Sequence, residues 1–485
     1  MKIIWTICFI ASTIYCLVWC GQNIPIYLQY QTYISTNLVQ EIPTYFPAVS
    51  ICNLKFSNKT KSLSYLNSLL FPNGIPIFSR EVFGADDVQN YLFFFDYQQQ
   101  AAISNYNNLA NSSSQRNFGY EMSDMLYSCT FNWAFCSSND FSYFYDPFYG
   151  NCFTFNSGIK ANGTKVDYIK SAVPGPIFGL SLTLFLGNPT EQSIYQIYGN
   201  GIAVVIHNQT SFPVFGTRRI LASAGKETDI AINRNFVSKI DAPYGNCLLD
   251  TSSSSAFASR SEYFNYIVNT QGLSYDQGYC YLICLQDIAI KNCNCTAGLL
   301  PNYGNASACF TIFDLQCIQE VAISFENAQV LDVCVRKCPI ACNSIEYSTK
   351  ASSSSYPNEY YKSLLMTTSK VIASNISFSD LDKSFLKVNI FYESMSYTQT
   401  TENPALTFMT FLSNIGGIFG LFIGISILSL IEVIELISLL FKGLFDYQFV
   451  NKVKPENAKK MFESSMNYRM NKPVIVSTKR MSIIH

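Results

Sequence analysis

Residues 415–441 read IGGIFGLFIGISILSLIEVIELISLLF, twenty-seven positions whose only charges are Glu432 and Glu435. As one helix at ~1.5 Å per residue the run would reach about 40 Å. The hydrocarbon core of a bilayer is about 30 Å thick, so a tilt, a break or an extension beyond the membrane is expected. A second uncharged run, Ile3–Trp19 (IIWTICFIASTIYCLVW), lies at the other end of the chain and continues weakly through Cys20 to Ile26. Its length is at the short end for a span. Met-Lys before an apolar stretch is also the form of a secretory signal peptide, with cleavage after Cys20. That alternative leaves a single-pass surface receptor or adhesion protein with a large external domain.

Composition agrees with a membrane protein. Only 13% of the 485 residues are charged, against about 25% in ordinary globular chains. Lys plus Arg is 32 and Asp plus Glu is 33, so the basic excess of a nucleic-acid binder is missing. Two histidines, His207 and His485, leave little room for histidine-based metal or triad chemistry. No G-x-S-x-G, H-E-x-x-H or phosphate loop occurs, so an enzyme is not expected. From Lys442 to His485 nine basic residues face three acidic ones, which places this tail in the cytoplasm by the positive-inside rule. Two spans then put both termini inside and the middle of the chain outside.

The middle has the marks of an extracellular domain. Sequons occur at Asn58, Asn111, Asn162, Asn208, Asn294, Asn305 and Asn375, all between the apolar runs. Asn294 stands between two cysteines and is the poorest acceptor of the set. Cys8, Cys16 and Cys20 belong to the first run, and the other fourteen cysteines are external, an even number that permits seven disulfides. Cys280-x3-Cys284 and Cys293-x-Cys295 also have ligand-like spacing for zinc, but an oxidising compartment favours disulfides.

Residues 46–54, 179–186, 202–208, 229–233 and 386–392 read as strands. Residues 279–290 and 308–326 read as helices. The serine runs Ser252–Ser255 and Ser352–Ser355 read as exposed loops. An external region of ~380 residues is too large for one simple core, so subdomains around a central sheet are expected.

Several stretches resemble one family. Phe46-Pro-Ala-Val-Ser-Ile-Cys-Asn53, Asn151-Cys-Phe-Thr-Phe-Asn156 and Gly201-Ile-Ala-Val-Val-Ile-His207 are similar to motifs of the degenerin/epithelial sodium channel superfamily, which includes acid-sensing and peptide-gated channels. Phe411-Leu-Ser-Asn-Ile-Gly-Gly417, Gly420-Leu-Phe-Ile-Gly-Ile-Ser426 and Glu432 resemble its pore segment. The resemblance implies an α+β membrane protein with two transmembrane helices flanking a disulfide-rich extracellular domain, built from a central palm sheet and a helical thumb. The implied division is a first span at 1–23, an ectodomain at 24–405 with the thumb at 247–345, a pore-lining span at 406–442 and a basic cytoplasmic tail at 443–485. It also implies the disulfides Cys52–Cys152, Cys129–Cys136, Cys247–Cys342, Cys280–Cys338, Cys284–Cys334, Cys293–Cys317 and Cys295–Cys309.

The implied function is a subunit of a trimeric, sodium-selective, amiloride-sensitive channel of the plasma membrane, a homomer or heteromer with related subunits. No cofactor is implied; Na+ is the permeant ion. Gly424-Ile425-Ser426 matches the G-x-S selectivity filter. A mid-span glycine weakens a helix, and carbonyl and hydroxyl oxygens suit a partly dehydrated monovalent cation. The alternative is that the glycines serve tight helix packing. Ile425 is bulkier than the small residue usual there. Ser413 and Asn414 fall at the outer gate and amiloride region; taken alone, the pair also reads as a helix N-cap. Glu432 and Glu435, spaced i, i+3, share a helix face and in three subunits would gather six carboxylates at the inner mouth. Alternatively they lie at the inner membrane boundary.

Relatives carry a cytoplasmic segment with a His-Gly pair before the first span; the resemblance makes an incomplete amino terminus the expectation, the alternative being a subunit that gates abnormally. No external acidic cluster stands out for proton sensing, and His207 reads as a strand residue. A peptide or other extracellular ligand, mechanical input and constitutive opening remain as stimuli.

Overall fold

The computed structural model describes residues 2–55, 116–117, 119–189, 199–251, 261–304, 306–309, 312–324, 328–424 and 427–452. The chain divides into two units, residues 32–404 and a unit formed by both ends.

Along the chain the principal strands of the central unit are β1 (Thr32–Gln40), β2 (Ala48–Asn53), β3 (Leu126–Phe131), β4 (Ala134–Phe135), β5 (Phe141–Asp146), β6 (Gly150–Phe155), β7 (Leu180–Phe185) and β8 (Gly201–His207). They continue with β9 (Ile220–Ser223), β10 (Lys226–Ser238), β11 (Asn343–Ser355) and β12 (Phe385–Pro404). A seven-stranded sheet has the order β11-β10-β12-β7-β3-β4, with β1 also paired to β12. A five-stranded sheet has the order β9-β8-β2-β6-β5. The large sheet expected at the centre is present, and a second, five-stranded sheet packs with it.

Their facing sides share one core, with Ile51, Phe153 and Val204 from the smaller sheet and Leu182, Ile232 and Val388 from the larger. The smaller sheet buries its other face as well, against Tyr149 and Phe215. That double burial explains why β2 and β6 are apolar or buried at every position while β10 alternates. The motifs quoted above meet here. Asn156, at φ 61°, donates Nδ2 to the Phe46 carbonyl at 2.6 Å and accepts the Ile169 amide at 2.8 Å. Gln209 Nε2 donates to the same Phe46 carbonyl at 2.6 Å. The Phe46 ring packs edge-on against Phe131 and Tyr392 of the larger sheet. Cys52 and Cys152 are register partners on β2 and β6, and they are bonded.

The cysteine-rich part holds α2 (Gln277–Cys293), α3 (Ile312–Ser324) and α4 (Ala328–Lys337). Helix α2 starts on an Asp276 cap and ends on Asn294 in the left-handed region. The expected helix from Ala308 begins only at Ile312, because Ala308 is taken up in a bridge to Thr296. Ser352–Ser355 is strand rather than loop: it pairs with Lys226–Asp229. Serine disfavours a strand only weakly, and the ladder offered by the neighbouring strand outweighs that preference.

The second unit contains α1 (Lys2–Leu28), α5 (Phe408–Phe422) and α6 (Ile427–Lys452). Helix α1 runs unbroken through Cys20 to Leu28 and so passes the expected boundary at 23. It is the one described helix long and apolar enough to cross a membrane, over Thr6–Leu28, and α5 is a shorter apolar helix. The 415–441 run is thus not one continuous span among the described residues.

Truncating Phe46 to Ala is expected to destabilise the ectodomain by about 3–5 kcal/mol. The check is protease resistance of the ectodomain against temperature, where an unchanged midpoint would contradict its place in the shared core.

Candidate functional site

Within the unit formed by both chain ends, α1 and α5 run antiparallel. Tyr27 stacks on Phe411 at 4.5 Å and Tyr15 lies 4.9 Å from Phe422. The Ala405 amide donates to the Gln31 carbonyl at 2.8 Å. Helix α5 is capped by Thr407, whose Oγ1 accepts the Thr410 amide at 3.1 Å. Ser413 and Asn414 therefore sit inside the helix, exposed in the single chain, and are not its N-cap. A Cβ on Gly416 or Gly417 would meet no atom of the described chain, so those glycines serve no close packing within it.

Helix α5 stops at Phe422, and Gly424 follows at φ +74°. L side chains rarely adopt that backbone, so glycine is the residue that allows the chain to turn out of the helix here. Ile425 and Ser426 lie outside the described residues. Helix α6 resumes at Ile427 and carries Glu432 and Glu435, both exposed in the single chain.

In the ectodomain seven disulfides use all fourteen external cysteines, in the pairing given above. The spacing explains two of them. Cys280 and Cys284 are one turn apart on α2, as are Cys334 and Cys338 at the end of α4, so antiparallel helices can join both pairs. The groups beside them were not legible in the sequence. Asp287 Oδ2 accepts from Tyr263 Oη at 2.6 Å and Lys291 Nζ at 2.7 Å, with Lys337 Nζ at 3.5 Å. Buried Gln286 donates to the carbonyls of Ala297 and Pro301 and accepts the Ala297 amide, each at 3.0 Å. Its amide holds the loop that the Cys295–Cys309 bond closes.

A cavity of about 790 Å³ is lined by residues of β8, β10, β11 and β12 together with the start of α2. Phe212, Phe236 and Tyr397 give it apolar walls; Asn208, Asp276 and Gln277 give it polar ones. Its size is that of a small-molecule pocket. Of the sequons, Asn162, Asn294 and Asn375 are exposed and Asn208 is half-buried in the cavity wall. Asn58, Asn111 and Asn305 lie outside the described residues.

Three external carboxylates are held ionised by basic partners. Burial alone would raise Glu41, Glu227 and Asp287, but hydrogen bonds and charge from Arg234, Lys387 and Lys291 bring each below the usual carboxylate range. Asp146 behaves differently: burial pushes it up to about 6, although the amides of Phe148 and Tyr149 favour its anion. His207 is driven down to about 4, also by burial. Its Nδ1 faces the Asn208 carbonyl and its Nε2 faces Ser50 Oγ, both at 2.8 Å. A carbonyl only accepts, so Nδ1 carries the proton and Nε2 accepts from Ser50. His207 is therefore a neutral strand-end residue.

A membrane-anchored protein with a cystine-laced, β-rich ectodomain is the class these parts define. The sequence matches the amiloride-sensitive sodium channel family (ASC) over residues 1–436, and the chain belongs to that family, one of ion channels and not enzymes. It is 26% identical over 295 residues to an epithelial sodium channel subunit gamma of Neoceratodus forsteri, covering 59% of this chain and 41% of that one. To the subunit beta of Mus musculus it is 29% identical over 294 residues, 59% and 43% of the two chains. Degenerin mec-10 of Caenorhabditis elegans is 26% identical over 301 residues, 58% and 36%. The match thus spans about two fifths of these relatives.

The two shifted groups give a pH test. His207, lowered from 6.5 to about 4, contributes stability that is full above the unfolded value and is lost as pH falls toward 4. Asp146, raised from 3.8 to about 6, contributes stability that is full below the unfolded value and is lost as pH rises through 6. Between these limits the slopes oppose each other. Asp146→Asn keeps the acceptor for the two amides and is expected to leave the ectodomain gaining stability with pH by one proton's slope between about pH 4 and 6. Melting temperatures that track the parent across this range would refute the assignment.

Proposed function

We propose that this chain is a subunit of a trimeric, sodium-selective, amiloride-sensitive cation channel of the plasma membrane, with both termini in the cytoplasm and residues 32–404 outside. The observation that carries this reading is the end of α5 at Phe422 followed by left-handed Gly424, in the stretch that resembles the family's pore segment. A break at membrane depth is tolerated where backbone lines a water-filled path. Gly424, Ile425 and Ser426 form the filter in this reading, and Ser413 and Asn414 line the outer gate where amiloride binds. Glu432 and Glu435 concentrate cations at the inner mouth. The unbroken course of α1 through Cys20, and its stacking of Tyr27 on Phe411, support retention of the first run over its removal as a signal peptide.

The ectodomain receives the stimulus. The cavity is of small-molecule size and Glu41, Glu227 and Asp287 are held ionised by basic partners, so an extracellular ligand fits the described residues better than protons do. Glycans occupy Asn162 and Asn375 first, since both are exposed and lie on turns. Asn208 is the least accessible of the proposed acceptors that are described, since it is half-buried in the cavity wall. The remaining sequons Asn58, Asn111 and Asn305 are also proposed acceptors.

Voltage clamp of cells expressing the chain, alone and with related subunits, tests the reading. Inward sodium current blocked by amiloride is the expected result; no current under any of these conditions contradicts it. Replacing Ser426 by Ala is expected to shift the Na+/K+ reversal potential, and an unchanged potential would remove it from the filter. Glu432→Gln with Glu435→Gln is expected to lower single-channel conductance by roughly twofold or more through loss of the local cation excess.

A further inference from the structure

Strand β1 follows α1 in the chain and has no buried side chain. Its nine residues pair with Ser396–Pro404 of β12 through the backbone, but apolar packing does little to hold it. Two charged groups compensate. At the near end, Glu402 Oε1 accepts Thr32 Oγ1 at 2.8 Å and its Oε2 accepts the Ile240 amide at 3.2 Å.

At the far end the residue is Arg234 of β10. Its side chain is only 7% exposed and it reaches Glu41, just beyond β1, in a direct ion pair. Strand β12 lies between them: Arg234 is in register with Tyr397, and Tyr397 is in register with Val39. The guanidinium crosses β12 over the Tyr397 ring at 5.0 Å and its own neighbour Phe236 at 4.8 Å. The crossing coincides with a register shift between Ile232 and Arg234, where β12 carries extra residues. Such bulges re-aim side chains. Glu393 in that bulge is tied to Lys350 Nζ at 2.8 Å and to Asn233 Nδ2. On the Glu41 side, Thr44 Oγ1 donates to the carboxylate at 3.0 Å and the Glu41 amide donates to the Met395 carbonyl at 3.1 Å. Lys170 adds a second positive charge near Glu41.

We propose that Arg234 is a positioning residue that straps β1 to the seven-stranded sheet across β12, and that the strap couples movement of the ectodomain sheet to the strand entering the membrane. The coupling half rests on the channel reading; the strap does not. Lysine could not replace the arginine fully, because the planar guanidinium both stacks on the two rings and meets the carboxylate. The neighbouring sequence gives no hint of the pair, since 193 positions separate its members.

The test uses the full chain in detergent, with hydrogen exchange read by mass spectrometry. Glu41→Gln is conservative and Glu41 is partly exposed, so the fold is expected to survive. Amides of Thr32–Gln40 should exchange about tenfold faster, while those of Leu180–Phe185 stay as they were. Arg234→Lys should give an intermediate increase. Unchanged exchange across β1 in Glu41→Gln would overturn the strap. The same variant is then measured by voltage clamp, where the open fraction should change and the reversal potential should not. Loosened β1 with unaltered gating would overturn the coupling. A parent chain without current would instead count against the channel reading and leave the exchange result standing.

Discussion

Backbone pairing along β12 is the constraint on which the ectodomain depends. Its twenty residues pair with β7 and then β1 on one side and with β10 on the other. The strand buries Leu386, Val388 and Ile390 in the core shared by both sheets. Three residues past its end, Thr407 caps α5. A single strand therefore runs from the centre of the apolar core to within three residues of the segment proposed to line the pore. Because β10 lies parallel to β12, the chain must make a long crossover between them. The cysteine-rich helices are built into that crossover.

The crossover explains the distribution of disulfides. Among the described residues, the core of this helical part combines the sulfurs of Cys280, Cys284, Cys334 and Cys338 with Tyr263, Ile267, Tyr279 and Ile283. Five of the seven bonds lie between Cys247 and Cys342. Cross-links restrict the unfolded chain and so stabilise the folded helices. The Asp287 cluster adds a buried charge that is matched by two lysines and a tyrosine. The two sheets need less help: the Cys52–Cys152 bond joins strands already paired and packed on both faces.

Some of this was legible in the residues and some was not. The strands at 46–54, 179–186, 202–208 and 386–392 were readable because each is a short apolar run, and all are strand at their centres. Ser352–Ser355 was misread because serine says nothing about the partner strand that supplies its ladder. Ser413-Asn414 looked like a cap by residue type, but Thr407 starts the helix six residues earlier. Gly424 was singled out within the apolar run, and its positive φ is a local property that glycine itself permits. Glu41, Arg234, Gln286 and Tyr263 carried no sequence signal, since their roles depend on partners distant in the chain.

By itself the sequence pointed to a membrane protein with a large cystine-rich external part. Apolar runs, sequons, cysteine number and tail charge are sums over local chemistry, and each reports its environment without reference to contacts. Tertiary structure decided how the external part is built: two sheets facing one core, a serine run as an edge strand, and an arginine reaching across one strand to meet a glutamate. Those features arise from pairings between residues far apart in the chain. The free energy of such a pairing belongs to the contact, so neither residue reveals it alone.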